Sequence, residues 1–238
     1  RVAFFIAGVP GILCALAVMR FVREPQLHPA AAETAAAAPP GRGFRVIFRE
    51  RNMRLCPFIA CLMVSWLMLH QNFLSLFLTT IRGLTNQEMS GVMSATGLCA
   101  AISGFVVAGV SDRLGRKPVV AAVCLLSLVT PLSGLYYHGS TAMLTALMFI
   151  GWIGTAAFAL FMSIIPAETV PPRYAATAMG LVSCLGEIFG GTVMPTIGGW
   201  AADVHTLSAP IRIAVVCAIG GTILCLFLKE TAPRKTGV

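Results

Sequence analysis

Residues 89–137 read MSGVMSATGLCAAISGFVVAGVSDRLGRKPVVAAVCLLSLVTPLSGLYY, which is two apolar runs separated by one short charged turn. Each run is close to the roughly 20 residues that an α-helix needs to cross a bilayer. The turn is so short that the second helix must run back beside the first. The segment therefore predicts two antiparallel membrane-spanning helices.

The same pattern extends along the whole chain. Hydrophobic residues make up 57% of the 238 residues and charged residues only 11%, which is too few to cover a soluble domain of this size. The predicted fold class is an all-α polytopic membrane protein with seven transmembrane helices in a lipid bilayer. The apolar runs are residues 2–19, 55–80, 89–110, 118–137, 142–165, 175–202 and 212–228.

Basic residues are distributed unequally between the two sides that alternating spans define. Fourteen of the seventeen Lys and Arg fall on one side, and only Arg1, Arg82 and Arg212 fall on the other. By the positive-inside rule, this bias predicts a multi-pass cell-membrane protein with its N-terminus outside and its C-terminus in the cytoplasm. No basic stripe with interleaved aromatic residues lies outside the runs, so the net charge of +8 does not predict nucleic-acid binding.

One long joint, residues 23–54, separates the first run from the other six. Its Ala/Pro-rich part is typical of a flexible linker. Phe44, Ile47 and Phe48 then share one face of a short helix that carries arginines on its other faces, and we expect this helix to lie on the cytoplasmic leaflet. The predicted domains are a lone span (1–22), the linker (23–54), a six-helix domain (55–230) and a tail (231–238).

Motifs for metal, cofactor or enzymatic chemistry are missing from the sequence. The eight cysteines lie in or beside apolar runs and show no zinc-type spacing. No metal, cofactor or enzyme is predicted, since neither H-E-x-x-H nor G-x-S-x-G occurs. A seven-helix receptor or sensor is the alternative of a different class. It fits less well, because no lysine lies within a run to hold retinal and the early joint is long.

The charged turn reads Gly109-Val110-Ser111-Asp112-Arg113-Leu114-Gly115-Arg116-Lys117-Pro118. Gly115 permits a tight turn, and an aspartate with three cations at a helix end can pair with carboxylates. Such a turn can also serve only topology and solubility. The run resembles the signature cytoplasmic loop G-x-x-x-D-R-x-G-R-K of the major facilitator superfamily.

Two further segments are similar to the same family. Residues 166–180, PAETVPPRYAATAMG, resemble its E-x-x-P-x-x-x-R-x-x-A-x-G joint, with Pro171 and Arg173 as equivalents. Residues 5–11 and 23–25 resemble its sixth span running into the central linker. The resemblance implies the sixth helix and the C-terminal six-helix half of a twelve-helix transporter, with the substrate path between the halves. Because the first residue is Arg1, we expect a fragment whose partner is the missing N-terminal half.

The two charged joints predict a cytoplasmic gate. Asp112, Arg113 and Arg116 would pair with Glu168 or Arg173 across one face of the membrane. The predicted gate residues are Gly109, Asp112, Arg113, Gly115, Arg116, Lys117, Glu168 and Arg173.

Polar side chains within the runs predict the substrate and proton sites. An ionisable group in hydrocarbon costs about 2.5–3.5 kcal/mol on insertion scales, so such groups usually face a cavity or a partner. Glu187 is predicted to couple transport to protons; an interhelical hydrogen bond or a salt bridge to the missing half is the alternative. The predicted substrate-binding residues, which could instead be polar contacts between helices, are Trp66, His70, Gln71, Asn72 and Trp152.

The function predicted from these features is secondary active transport by alternating access. The substrate would be a small polar or anionic metabolite, moved by proton-coupled symport. The alternative within transporters is proton-driven export of a drug or metabolite, which uses the same architecture.

Overall fold

The computed structural model describes residues 2–22 and 42–232, in two units that divide the chain after Pro39. The first unit holds helix α1 (Val2–Phe21). The second unit begins with α2 (Arg42–Arg49), and six helices long and apolar enough to span a membrane follow. These are α3 (Arg51–Thr80), α4 (Asn86–Leu114), α5 (Arg116–Tyr136), α6 (Thr141–Thr169), α7 (Pro172–Val204) and α8 (Ser208–Leu226).

An all-α multi-pass membrane protein is thus confirmed, with six spanning helices among the described residues. Within α1, the apolar stretch Gly11–Phe21 is by itself shorter than a span, so the count of seven stays a prediction. The predicted linker residues 23–41 lie outside the described part of the chain.

The helices extend beyond the apolar runs because their ends have polar partners. Helix α4 begins three residues before its run with a capping box at Thr85. The Thr85 hydroxyl accepts from the Glu88 N–H at 3.3 Å, and the Glu88 carboxylate accepts from the Thr85 N–H at 2.9 Å. This exchange satisfies two backbone donors that the first turn of a helix leaves unpaired.

Prolines interrupt three of the helices. Helix α5 breaks into Arg116–Leu126 and Val129–Tyr136 just before Pro131. Helices α6 and α7 widen into π-helical turns, Leu160–Ile164 and Glu187–Val193, directly before Pro166 and Pro195. Because proline has no N–H, the carbonyl four residues earlier loses its partner, and the wider turn accommodates this loss.

Glycines allow close approach at two helix contacts. A methyl group added at Gly154 of α6 would lie 2.5 Å from Cβ of Ser127 in α5. One added at Gly190 of α7 would lie 2.6 Å from the backbone nitrogen of Ser65 in α3. Both distances are shorter than real Cβ contacts, so the helices can pack this closely only because these positions are glycine.

Helix α2 forms where the amphipathic helix was predicted. Ile47 is fully buried in the hydrophobic core of the second unit, whereas Phe48 is exposed. The side chain of Phe44 lies outside the described residues. Ile47 therefore holds α2 against the helix bundle instead of lying in lipid as expected for that face.

Candidate functional site at the α4–α5 turn

The charged turn between α4 and α5 depends on Gly115. This residue has φ of 108°, in the left-handed region that favours glycine. A methyl group at this position would also lie 2.5 Å from Oε2 of Glu230. Glycine is therefore required here both by the backbone conformation and by the space available.

Arg116 is the centre of a charged cluster that joins three helices. Its Nε donates to the two Glu168 carboxylate oxygens at 3.2 and 3.3 Å, and Nη2 donates to Oε1 at 2.9 Å. Its Nη1 donates to the Ser111 hydroxyl at 2.7 Å and pairs with the Asp112 carboxylate at 2.5 Å. Every nitrogen of the guanidinium group has a partner, so α4, α5 and α6 are held together at this face.

The two carboxylates of the cluster differ in their exposure to solvent. The Arg116 side chain is 9% exposed and that of Glu168 is 21% exposed, whereas that of Asp112 is 60% exposed. Water and salt screen an exposed pair strongly and a half-buried pair much less. The Arg116–Glu168 pair is therefore the stronger of the two.

A third carboxylate, Glu230, lies at the start of α5 and was not predicted. Its Oε1 accepts from the Arg116 N–H at 2.7 Å and its Oε2 from the Lys117 N–H at 3.2 Å. The N–H groups of Thr231 and Ala232 also donate to it. Partial burial raises the pKa of Glu230, but these four backbone donors outweigh burial and hold the pKa below its usual value. The negative charge also suits the positive end of the α5 dipole.

Residues 229–232, here called the C-terminal strap, connect the cluster to α3. The buried Asn52 side chain accepts from the Lys229 N–H at 2.8 Å and donates to its carbonyl at 3.0 Å. The Thr231 hydroxyl donates to Glu168 at 2.7 Å. The strap therefore fastens the ends of α3, α5 and α6 to one another.

The structure assembles only part of the predicted gate. Among the described residues, the Arg113 and Lys117 side chains form no hydrogen bond or ion pair, and Lys117 contributes only its backbone N–H. Arg173 lies over the Tyr174 ring, 4.7 Å from its centre, and does not join Asp112. Gly109 has no neighbour within 4 Å of an added methyl group. Of the predicted set, Asp112, Gly115, Arg116 and Glu168 come together.

Three of the predicted substrate residues form a buried aromatic group. The Trp66 ring lies 4.9 Å from that of His70 and 5.5 Å from that of Trp152. His70 Nδ1 is 2.6 Å from the Trp66 carbonyl, and its Nε2 has no partner among the described residues. All three side chains are buried inside the bundle, so in this conformation they do not line an open cavity as predicted.

Gln71 and Asn72 lie on the other side of α3 and are exposed. Asn72 donates to the Met68 carbonyl at 2.8 Å, a contact within its own helix. At most one side of α3 faces the aromatic group, so the sequence His70-Gln71-Asn72 is divided between the bundle interior and the exposed surface.

Glu187 is exposed in the second unit and is not buried by the described helices. It begins the π-helical turn of α7, and its carboxylate has no hydrogen-bond or ion-pair partner among the described residues. Its neighbours Ile188 and Phe189 are about half exposed, at 50% and 51%. The carboxylate therefore lies on an apolar surface that the rest of this unit leaves open.

Glu187 and the Gln71–Asn72 pair lie at different depths along that surface. Glycines 186 and 190 of α7 contact residues 60–65 of α3, and Gly198 contacts Leu69 and Phe73. The two helices consequently run parallel, with Glu187 level with the first half of α3 and Gln71 level with Gly198. The structure does not bring the predicted proton site and the exposed polar pair together.

Comparison with known proteins identifies the class. A sequence profile of the Major Facilitator Superfamily matches residues 67–238. The chain is 32% identical to organic cation/carnitine transporter 7 of Arabidopsis thaliana, over 54% of this chain and 26% of that protein. It is 28% identical to synaptic vesicle glycoprotein 2B of Rattus norvegicus, over 61% of this chain and 21% of that protein.

A probable 4-methylmuconolactone transporter of Cupriavidus pinatubonensis is 22% identical over 97% of this chain and 54% of that protein. The matched part thus spans between about a fifth and about a half of these relatives. The family match and the relatives named as transporters indicate a multi-pass membrane transporter rather than an enzyme. The chain belongs to the Major Facilitator Superfamily.

Proposed function

We propose that this chain supplies the C-terminal half of a proton-coupled secondary transporter, with the charged cluster as its cytoplasmic gate. The observation that carries the gate is the guanidinium of Arg116, which is bonded to both oxygens of Glu168 and to Asp112 while the strap closes over the turn. Such a cluster is stable only while α4, α5 and α6 keep this spacing. Alternating access is largely a rocking of one half against the other, and the cluster would hold these helix ends in one arrangement until that movement loosens it.

The exposed surface of α7 supports the proposal that the other half of the transporter faces this helix. Glu187, Ile188, Phe189 and Trp200 are all exposed there. A carboxylate facing lipid alone would be costly, whereas one facing a water-lined path between two halves would not be. Gln71 and Asn72 of α3 would contact the substrate along that path, with the Trp66–His70–Trp152 group packed behind them.

The substrate class is proposed as a small polar or anionic organic metabolite. Relatives are named for organic cations or carnitine and for 4-methylmuconolactone, which supports a small organic molecule as the substrate. Uptake by symport with protons is the direction proposed; export by antiport would use the same residues.

Glu187→Gln in the full-length protein tests the proton role. Proteoliposomes would be assayed for accumulation of candidate metabolites under an imposed pH gradient, and for exchange without one. We expect accumulation to be lost and exchange to be kept, because exchange need not move a proton. Glu187→Asp, which keeps a titratable group, should restore part of the accumulation.

Two results would oppose this role. Gradient-driven accumulation that persists in well-folded Glu187→Gln protein would remove the proton function. Loss of both accumulation and exchange, together with a lower unfolding temperature, would show that Glu187 is structural.

A further inference from the structure

A polar cavity of about 430 Å³ lies at the end of the bundle opposite the charged cluster. It is formed by the C-terminal end of α3, the starts of α4, α6 and α8, and the loop between α5 and α6. Its volume falls within the range of about 300–1,000 Å³ that small-molecule sites usually have. Its polar lining includes Arg82, Glu88, His138, Thr141, Ser208 and Arg212.

The carboxylate of Glu88, which lines this cavity, already accepts hydrogen bonds from residues at the starts of two helices. Glu88 Oε2 accepts from the N–H and the hydroxyl of Thr85, both at 2.9 Å. Its Oε1 accepts from the Thr141 hydroxyl at 3.0 Å. Neither arginine of the cavity forms an ion pair with Glu88 or with any other described carboxylate.

Arg82 has a structural role, and it also orients a second donor. Its guanidinium donates to the Tyr137 carbonyl and, at 3.1 Å, contacts Nδ1 of His138. Because arginine can only donate, Nδ1 must be the acceptor, which puts the His138 ring proton on Nε2. His138 is thus held with an N–H donor that no described residue accepts.

Arg212 is the cation of this cavity whose side chain no described residue pairs with. It lies one turn into α8, is exposed, and makes no hydrogen bond or ion pair with a described residue. Ser208 is four residues earlier on the same side of that helix, and α8 begins without a side-chain cap. The cavity therefore has two arginines, one committed carboxylate and several free N–H and O–H donors.

We propose that this cavity binds an oxyanion, either a small soluble carboxylate or phosphate or the phosphate of a lipid headgroup, with Arg212 as its main contact. Guanidinium groups bind such oxyanions through paired N–H donors. The site is separate from the charged cluster and from the α7 surface, and it does not depend on the transport proposal.

The test uses purified full-length protein in detergent, with benzoate and inorganic phosphate as probes and uncharged benzamide as the matched control ligand. Calorimetry should detect binding of benzoate or phosphate but not of benzamide. Arg212→Gln should weaken binding at least about tenfold, the size expected for one charge-assisted contact. Glu88→Gln can keep the capping box while removing a negative charge, so it should tighten binding by about threefold.

Arg54→Gln is the control variant, because Arg54 is an exposed arginine near the start of α3 and outside this cavity. It should bind the anions as the unaltered protein does. Thermal unfolding of Arg212→Gln should be unchanged, since that side chain is exposed and forms no hydrogen bond or ion pair with a described residue. Nanodiscs of phosphatidylglycerol and phosphatidylcholine then separate the two sources of the oxyanion.

Retention of anionic lipid that Arg212→Gln abolishes, without binding of the soluble anions, would assign the site to a lipid phosphate. Equal anion binding by Arg212→Gln and unaltered protein would overturn the proposal. The absence of binding by benzoate, phosphate and anionic lipid alike would also overturn it.

Discussion

Replacing Glu168 by glutamine should open the charged cluster at the α4–α5 turn far more than replacing Asp112 by asparagine. Glu168 receives three hydrogen bonds from Arg116, and its side chain is 21% exposed. Glutamine keeps one acceptor oxygen, but it removes the charge and turns an amide N–H₂ towards a guanidinium group. A largely buried Arg116 then lacks its main counter-charge.

The expected costs follow from this exposure. Removing one partner of a buried ion pair costs about 3–5 kcal/mol, and partial exposure of Glu168 reduces this to about 2 kcal/mol. That is about a thirtyfold shift towards the open arrangement. The Asp112 side chain is 60% exposed, so Asp112→Asn should cost only about 0.5 kcal/mol, a factor of about two.

Hydrogen–deuterium exchange of full-length protein in nanodiscs measures this opening directly. Peptides covering residues 109–118 and 166–173 should exchange much faster in Glu168→Gln and only slightly faster in Asp112→Asn. Glu50→Gln serves as the control, because Glu50 precedes α3 without a side-chain capping bond. Equal exchange in Glu168→Gln and unaltered protein, or a larger effect of Asp112→Asn, would refute the reasoning.

Two further predictions concern the strap and the α3–α7 contact. Glu230→Gln should release residues 229–232 to exchange and proteolysis at pH 7. In the unaltered protein, the stabilisation by Glu230 is fully present above its usual pKa of 4.5, and it is lost as the pH falls through its lower folded-state pKa. If Glu230→Gln leaves the protection of the strap unchanged, the assignment is contradicted. Gly190→Ala should destabilise the protein by about 1–3 kcal/mol in thermal unfolding, because its methyl group meets the Ser65 backbone. Gly97→Ala is the control, because the space around Gly97 is open, and it should be neutral or stabilising by up to about 1 kcal/mol. Equal unfolding temperatures for Gly190→Ala and the unaltered protein would show that α3 and α7 can move apart at no cost.

Hydropathy predicted the helical architecture, and the charged turn, through its resemblance to a family signature loop, predicted the residues at the centre of the cluster. Long apolar runs have few alternatives to membrane helices, and the spacing of Asp112, Gly115 and Arg116 within a tight turn limits where they can point. Glu168 could be predicted because it lies in the other charged joint. These are short-range features, which a sequence displays directly.

The role of Glu230 could not be predicted in this way. It lies 114 residues from Arg116 in the sequence, and a single glutamate after an apolar run has no distinctive spacing. The only signal was the uncapped start of α5, whose free N–H groups require some acceptor. Recognising which acceptor requires the three-dimensional path of the chain.

The sequence also could not predict which polar residues within the apolar runs are buried. Helical spacing placed Trp66 and His70 on one face, but it could not show that this face turns inwards towards Trp152. It likewise could not show that Glu187 points away from the other five spans. Both outcomes depend on how each helix is rotated about its axis.

The backbone contact of α5 with α6 offers a built-in length standard for spectroscopy. With Gly151 and Gly154 set against Thr130 and Ser127, these two helices have no room to slide past each other. Spin labels at Leu125 and Ile150, which are both exposed, should therefore keep one separation while other pairs of helices rearrange. Any change measured elsewhere could then be calibrated against that fixed distance in the same sample.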